Sequence, residues 1–161
     1  MPAPVTTTPE LEQAQRMRQV IGKLHRWLRV TDAGTAAGLA PARVSALLNV
    51  DRNGPLRLSQ LAEDEGVNPT MLSRMVGDLV DAGLFERTSD AEDRRAAWVQ
   101  VTPAGAELAA RLRHERTVAI TGALVALDSH EVELIEAALP ALERLAAELR
   151  AGGVRERRVG A

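Results

Sequence analysis

The chain has 161 residues, the size of one domain, and 45% of them are hydrophobic and 26% charged, which is typical of a globular protein. It has no cysteine, which excludes disulfides, cysteine nucleophiles and cysteine-ligated zinc. The formal net charge is −2, so any binding to nucleic acid must come from a local arrangement of residues and not from bulk charge.

The N-terminal segment, residues 1–9, has three prolines and three threonines, with neither a basic stretch nor an apolar one. We therefore expect a flexible tail without a signal peptide, and a cytoplasmic protein. No apolar run in the chain approaches the length of 18 residues that indicates a membrane-spanning helix. Apolar residues at spacings of three and four, from Leu11 to Leu28, predict a first helix that ends near Val30.

A glycine-containing link joins this helix to a second one, which we expect to begin at Pro41. The Asn53-Gly54-Pro55 sequence is typical of a helix end followed by a turn. A very short strand over residues 56–58 and a short helix over residues 59–65 are predicted next, and Gly66 ends that helix.

The following segment combines a helix with a β-hairpin. Asn68 is a favourable N-cap and Pro69 suits the first helical position, so we predict a helix over residues 70–82, with a glycine after its end. Residues 84–87 and 97–101 read as two strands around a polar turn, which predicts a β-hairpin with a charged tip.

Two long helices complete the chain. Thr102-Pro103 is a typical N-cap and first position, and Asp128 with Glu131 forms an aspartate version of the capping box. We expect Pro140 to kink or break the last helix and Gly152-Gly153 to end it, which leaves residues 151–161 as a second flexible tail.

The predicted fold is mainly α with a small β-hairpin wing. Two short helices, a turn and a hairpin in this order form a winged helix-turn-helix, and we expect one domain over residues 10–150. Its outer helices, over residues 10–32 and 103–150, carry more apolar surface than a domain of this size can cover. Surplus apolar surface on terminal helices predicts a homodimer built through them.

The densest group of motifs lies between residues 58 and 105. It comprises Leu58-Ser59-Gln60-Leu61-Ala62, Gly66-Val67-Asn68-Pro69-Thr70, Leu72-Ser73-Arg74, Asp81-Ala82-Gly83-Leu84-Phe85-Glu86-Arg87, Asp93-x-Arg95 and Val99-Gln100-Val101-Thr102-Pro103-Ala104-Gly105. Through these motifs the chain resembles the multiple-antibiotic-resistance regulator (MarR) family of winged-helix transcription factors. The resemblance implies a homodimeric regulator, most often a repressor, that needs no cofactor and binds a pseudo-palindromic operator in double-stranded DNA, with residues 41–101 as its DNA-binding lobe.

The second helix of the motif is the expected DNA-reading element, because a helix in the major groove presents its N-terminal residues to base edges. Arg74 can bind a guanine edge through two hydrogen bonds or contact a phosphate. The backbone amides beside Pro69 and Thr70 can bind a phosphate. The candidate residues on this helix are Asn68, Pro69, Thr70, Met71, Ser73 and Arg74.

The wing tip supplies further candidates, since an arginine there can enter a narrow minor groove. By resemblance the wing arginine is Arg95, with Asp93 beside it, and Arg94 is an adjacent candidate; alternatively, these residues pair only with one another within the turn. The family often has an acid three residues after the arginine of the Ser-Arg pair, and that acid holds the wing arginine. Here the position is Gly77, with Asp78 one residue further along, so the wing is held differently or is looser.

The resemblance also implies a pocket for a small phenolic or carboxylate effector, between the dimer helices and the DNA-binding lobe. His25, Trp27 and Arg43 are candidate lining residues, although ordinary core packing is the preferred interpretation of Trp27. The three histidines are too scattered to predict a metal site.

Two other functional classes compete with the DNA-binding regulator. A winged-helix module that binds protein and not specific DNA is the alternative, and it is favoured by Gly77 and by the excess of acids, six against four arginines, between residues 69 and 95. An enzyme is disfavoured, because the sequence has no Ser-His-Asp spacing, no phosphate-binding loop and no cysteine.

Overall fold

The computed structural model describes residues 8–29, 32–89 and 97–159. Within these ranges the elements are α1 (Thr8–Arg29), α2 (Asp32–Ala36), α3 (Pro41–Asn53), β1 (Leu56–Arg57), α4 (Leu58–Glu65), α5 (Pro69–Asp81), β2 (Phe85–Ser89), β3 (Ala97–Val101), α6 (Pro103–Val125) and α7 (Ser129–Val159). The predicted winged helix-turn-helix is confirmed, with α4 and α5 as its two motif helices.

The wing is part of an antiparallel sheet of three strands in the order β1-β3-β2. β2 and β3 form the predicted hairpin, with Phe85 opposite Val101. The two residues of β1 add to the other edge of β3, where Leu56 lies opposite Val99. The central strand β3 is thereby paired on both of its edges, and its residue Val99 is buried in the core.

The core is aliphatic, as the low aromatic content predicts. It lies between α3, α4, α5, the first half of α6 and the sheet, and Phe85 is its one aromatic member among the described residues. The largest fully buried side chains are Phe85, Leu47, Leu61, Leu72, Leu79, Leu112, Val50, Val76 and Val99. All of them belong to the segment between α3 and the middle of α6, so this lobe has a core of its own.

Helix termini follow the predicted capping chemistry. The Asn68 side chain accepts a hydrogen bond from the Met71 amide at 2.8 Å, which starts α5. Asp128 and Glu131 exchange side-chain to backbone hydrogen bonds of 2.8 and 3.0 Å, so the capping box before α7 is confirmed. Gly66 ends α4 with φ near +67°, a conformation that glycine adopts readily.

The start of α6 is tied to the turn that precedes the wing. The Thr102 hydroxyl accepts from the Gly105 amide at 3.0 Å and donates to the carbonyl of Gly83 at 2.6 Å. The Thr102 amide donates to the Leu84 carbonyl at 3.0 Å. A Cβ at position 105 would lie 2.1 Å from that carbonyl oxygen, so only glycine allows this close approach.

Two features of the helices differ from the predictions. α7 continues without interruption through Pro140 and past Gly152-Gly153, so the predicted break and the predicted end are wrong, and residues 151–159 are helical. Proline removes one hydrogen bond and crowds the preceding turn, at about 3 kcal/mol, and glycine costs about 1 kcal/mol, and a helix of 31 residues offsets both local costs.

The second difference is α2, which the glycine-containing link concealed. The Glu115 carboxylate accepts hydrogen bonds from the Ala33 amide at 3.0 and 3.2 Å, which stabilises the first turn of α2 from a distance of 82 residues in sequence. Local patterns carry no information about such a contact.

The outer helices leave much of their apolar surface open. The exposed large apolar side chains on α1, α6 and α7 are Leu11, Val20, Ile21, Leu24, Trp27, Val118, Ile120, Val125, Leu134, Ile135, Leu139, Leu142 and Leu149. They are interspersed with charged residues, and no helix in the described ranges is long and apolar enough to cross a bilayer.

Candidate nucleic-acid interface

The orientation of α5 is set by its buried face. Leu72, Met75, Val76 and Leu79 recur at spacings of three and four and are buried in the core. The opposite face is therefore held toward solvent by the packing of the lobe. In a helix with 3.6 residues per turn, that opposite face contains Thr70, Arg74, Gly77 and Asp81.

The candidate residues at the start of α5 share one property, which is exposure. This holds for Asn68, Pro69, Thr70, Met71, Ser73 and Arg74. Arg74 makes no hydrogen bond or ion pair with any other described residue, so its guanidinium is available to an external acceptor. The N-terminal half of α5 thus presents an amide, two hydroxyls, a thioether and a guanidinium to solvent.

The backbone donors at this helix end are fewer than the sequence suggests. Pro69 has no N–H, Met71 donates to the Asn68 side chain, and Leu72 donates to the Asn68 carbonyl at 3.0 Å. The Thr70 amide has no partner among the described residues. One backbone N–H, together with the Thr70 hydroxyl, is therefore what the first turn can offer to a phosphate.

Asp78 pairs with Arg43, which the sequence predicted to line an effector pocket. Its carboxylate forms an ion pair with the guanidinium of Arg43, which lies in the first turn of α3. The two side chains lie on a groove that runs beside α5. The groove is lined by Arg43, Asn68, Thr70, Met71, Arg74, Met75 and Asp78.

Asp93, Arg94 and Arg95 lie outside the described residues, so their predicted roles stay predictions. The described strands lead to this tip from Ser89, opposite Ala97. Near the start of β3, the Arg57 guanidinium lies 5.2 Å from the centre of the Trp98 ring, a cation–π contact between β1 and β3.

The three candidate effector residues do not come together. His25 is exposed on α1, and Arg43 lies beside α5. Trp27 is 80% exposed, so the preferred interpretation, ordinary core packing, is wrong. Trp27 and its neighbour Leu28 instead line an open groove against α6, with His114, Glu115, Arg116 and Val118 among the other lining residues.

Arg116 is a functional candidate that sequence reasoning missed. Its Nε atom is buried and has no hydrogen-bond partner among the described residues, and desolvation lowers the pKa of its guanidinium below the ordinary value. The arginine is one of many on the long C-terminal helices, and no local motif distinguishes it. Arg116 is distinguished only by its position in the groove beside Trp27.

Taken together, an exposed helix that follows a capped turn, and a three-stranded wing behind it, define the class of winged-helix DNA-binding proteins. The model of the MarR family matches residues 39–97, which contain this whole unit up to the start of β3. The chain thus carries a MarR-family domain over this segment, and members of that family are DNA-binding transcriptional regulators.

A sequence relative and two solved structures are similar to this chain over most of its length. An HTH-type transcriptional regulator of Mycobacterium tuberculosis is 27% identical over 125 residues, which cover 78% of this chain and 86% of the relative. A putative transcriptional regulator of Pseudomonas aeruginosa superposes with a TM-score of 0.73 at 27% identity, covering 88% of this chain and 97% of that one. NadR in complex with 4-hydroxyphenylacetate gives a TM-score of 0.63 at 21% identity, covering 93% and 98% of the two chains, and this likeness concerns the fold.

Proposed function

We propose that this chain is a homodimeric, sequence-specific transcriptional repressor that binds a pseudo-palindromic operator through α5 and the wing. The observation that supports it most is the exposed N-terminal face of α5, held in place by the buried opposite face and by the Asn68 cap. Residues 41–101 are the DNA-binding lobe of this proposal, and occupancy of the operator blocks transcription.

The residues of α5 receive distinct roles in this proposal. Arg74 reads a guanine edge in the major groove, and the Met71 side chain packs against a thymine methyl group. Thr70 and Ser73 bind phosphates through their hydroxyls. Two copies of α5 enter successive major grooves about 10 bp apart, and Arg94 and Arg95 reach the flanking minor grooves with Asp93 beside them.

The dimer is proposed on the exposed apolar side chains of α1, α6 and α7, within residues 10–32 and 103–150. Apolar surface of this extent rarely faces water in a monomer, and terminal helices with such stripes typically pair around a two-fold axis. Sedimentation velocity at micromolar concentration should give a dimer. A folded monomer at that concentration would remove this part of the proposal.

The experiment for DNA binding compares two duplexes by fluorescence anisotropy. One carries the promoter region of the protein's own operon and the other has a random sequence of equal length. Arg74→Ala should weaken binding to the promoter duplex by about 1–3 kcal/mol and leave the random duplex little affected. Arg52→Ala is the matched control, since Arg52 is an exposed arginine in the last turn of α3 and is absent from the groove beside α5.

Equal weakening of both duplexes by Arg74→Ala would assign Arg74 to phosphate binding and contradict its base-reading role. If the wild-type protein binds neither duplex, the protein-interaction module becomes the better explanation. The exposed acids on α5, Asp78 and Asp81, are the observation that favours that second candidate.

Release by a small aromatic carboxylate is the final part of the proposal, and we place the site in the groove of Trp27, His114 and Arg116. A buried guanidinium nitrogen without a partner is a costly arrangement, which a bound carboxylate would relieve. The related fold of NadR is known in complex with 4-hydroxyphenylacetate, so that compound is a suitable probe.

The effector test has two readouts. Titration with 4-hydroxyphenylacetate should change the fluorescence of Trp27 and lower the affinity for the promoter duplex. The Arg116→Gln variant should lose both effects while it still binds DNA, and Trp98→Phe should keep both. A wild-type protein that shows neither response would remove this ligand class from the proposal.

A further inference from the structure

The ion pair between Arg43 and Asp78 joins two elements that approach the same surface. Arg43 belongs to the first turn of α3, and its partner lies in the middle of α5. Both side chains keep contact with solvent, at 35% and 49% exposure, and both line the groove that also contains Thr70 and Arg74. The pair therefore lies on the surface of the lobe, beside the residues proposed to contact DNA.

Geometry places Arg43 next to Arg74 on that surface. Asp78 follows Arg74 by one helical turn, so the two side chains lie above one another on α5. Asp78 fixes the position of the Arg43 guanidinium by accepting from Nη2. A guanidinium has five N–H donors, and the other donors of Arg43 have no partner among the described residues.

We infer that Arg43 is a further DNA-contacting residue, which donates to a backbone phosphate at the edge of the major groove while Asp78 holds it in position. This inference rests on the proposed DNA-binding function. It moves Arg43 from the effector pocket to the DNA interface, and it gives Asp78 the role of a positioning residue.

Charge supports the same assignment. Asp78 and Asp81 are exposed acids on α5, and an unpaired carboxylate beside a phosphate would oppose binding. Arg43 cancels the charge of Asp78 and keeps donors for the phosphate, as an arginine can because its planar group contacts two acceptors at once. The excess of acids around α5 is therefore smaller than the sequence count suggests.

Two contributions of Arg43 must be separated, namely cancellation of the Asp78 charge and direct contact with a phosphate. Direct contact releases counterions, so its loss makes the plot of log affinity against log salt shallower by about 0.9 for each contact. Arg43→Ala removes both contributions. The double variant Arg43→Ala/Asp78→Asn also lacks the phosphate contact, but it leaves no uncancelled acid at position 78.

The test uses a mixed-sequence duplex of about three helical turns, since phosphate contacts do not depend on base sequence. Anisotropy titrations at several salt concentrations between about 50 and about 200 mM give the slope. Arg43→Ala should bind more weakly, with a slope shallower by about 1.8 for the two protomers. The double variant should regain part of the affinity and keep the shallow slope.

Three further variants complete the design. Asp78→Asn should keep the slope and bind about as tightly as wild type, because its amide oxygen can still accept from Arg43 and hold it in position while an acid is removed. Arg43→Lys should keep most of the slope, because a lysine retains one charged phosphate contact. Arg52→Ala is again the matched control on α3 and should behave as wild type. Urea unfolding should show that Arg43→Ala still folds, because an exposed ion pair contributes little to stability. If Arg43→Ala does not fold, the same titrations are made with Arg43→Gln.

The outcomes distinguish this inference from the proposed function. Wild-type protein without salt-dependent binding to the duplex would contradict DNA binding itself. Wild-type binding with an unchanged slope in Arg43→Ala would overturn only the Arg43 contact. Full recovery of both affinity and slope in the double variant would likewise overturn it, because cancellation of Asp78 would then be the whole effect.

Discussion

Replacement of Gly105 by alanine tests how the wing is fixed to the long helix that follows it. In an exposed helical position the change from glycine to alanine stabilises a protein by up to about 1 kcal/mol. At position 105 the added Cβ would lie 2.1 Å from the Leu84 carbonyl oxygen and 3.1 Å from its carbon. Both are backbone atoms, so no side-chain rotation can relieve the contact.

The expected cost follows from what must move. The Leu84 carbonyl accepts from the Thr102 amide, and the Thr102 hydroxyl caps α6 at the Gly105 amide. A shift of α6 away from Leu84 stretches both bonds. Overpacking costs about 1–3 kcal/mol and a lost cap about 1 kcal/mol, against which the gain in helix propensity is about 1 kcal/mol. We expect Gly105→Ala to lower the free energy of unfolding by about 1–3 kcal/mol.

The matched control is Gly77→Ala, because a Cβ at position 77 of α5 would meet nothing within 4 Å. Urea unfolding followed by circular dichroism, at one fixed protein concentration, should give opposite signs, with Gly77→Ala more stable than wild type. If Gly105→Ala were as stable as wild type, the close approach of α6 to Leu84 would not exist in solution, and the reasoning would fail.

Three other changes test separate contacts. Asn68→Ala should lower the free energy of unfolding by about 1 kcal/mol through loss of the α5 cap, measured by urea unfolding, while Asn68→Asp should retain most of it. Glu115→Gln should cost about 1 kcal/mol, since a neutral amide is a weaker acceptor for the Ala33 amide, and an unchanged unfolding curve would show that α2 is held by other contacts. Arg94→Ala/Arg95→Ala should weaken DNA binding, make its salt dependence shallower by about 0.9 per lost phosphate contact and abolish any A·T preference at the flanks, whereas an unchanged slope and affinity would mean that the wing does not touch DNA.

The parts of the fold that sequence predicts well are those with local causes. The cap at Asn68 and the capping box at Asp128 depend on residues three apart, and the structure has both. The Thr102 cap likewise joins residues three apart, because the Thr102 hydroxyl accepts from the Gly105 amide. Where the cause is distant the prediction fails, as for α2, which a carboxylate from α6 stabilises.

The length of α7 shows a different limit. Pro140 and Gly152 are unfavourable in helices, at about 3 and about 1 kcal/mol, yet each cost is local and the other turns of the helix offset it. Residue preferences rank the places where a helix is weakest. They do not decide whether a helix of 31 residues ends at one of them.

For the candidate interface, the sequence identified the exposed residues of α5 but not their neighbours. The buried positions of α5 can be recognised from its apolar spacing, which also fixes the exposed side. The partner of Asp78 could not be recognised, because Arg43 lies 35 residues away on another helix. The same holds for Arg116, since only the fold brings it to Trp27.

The charge of the chain constrains how such a regulator can bind DNA. The chain has a formal net charge of −2, so it is not attracted as a whole to a polyanion, and in the proposed function the affinity for DNA comes from short-range contacts at α5 and the wing. The rotation of α5 about its own axis decides which charged side chains face the solvent and can make such contacts. One residue of rotation, about 100°, would exchange the exposed Arg74 for the buried Met75. If α5 reads DNA as proposed, core side chains such as Leu72 and Leu79 control binding by fixing this rotation, without contacting the DNA themselves.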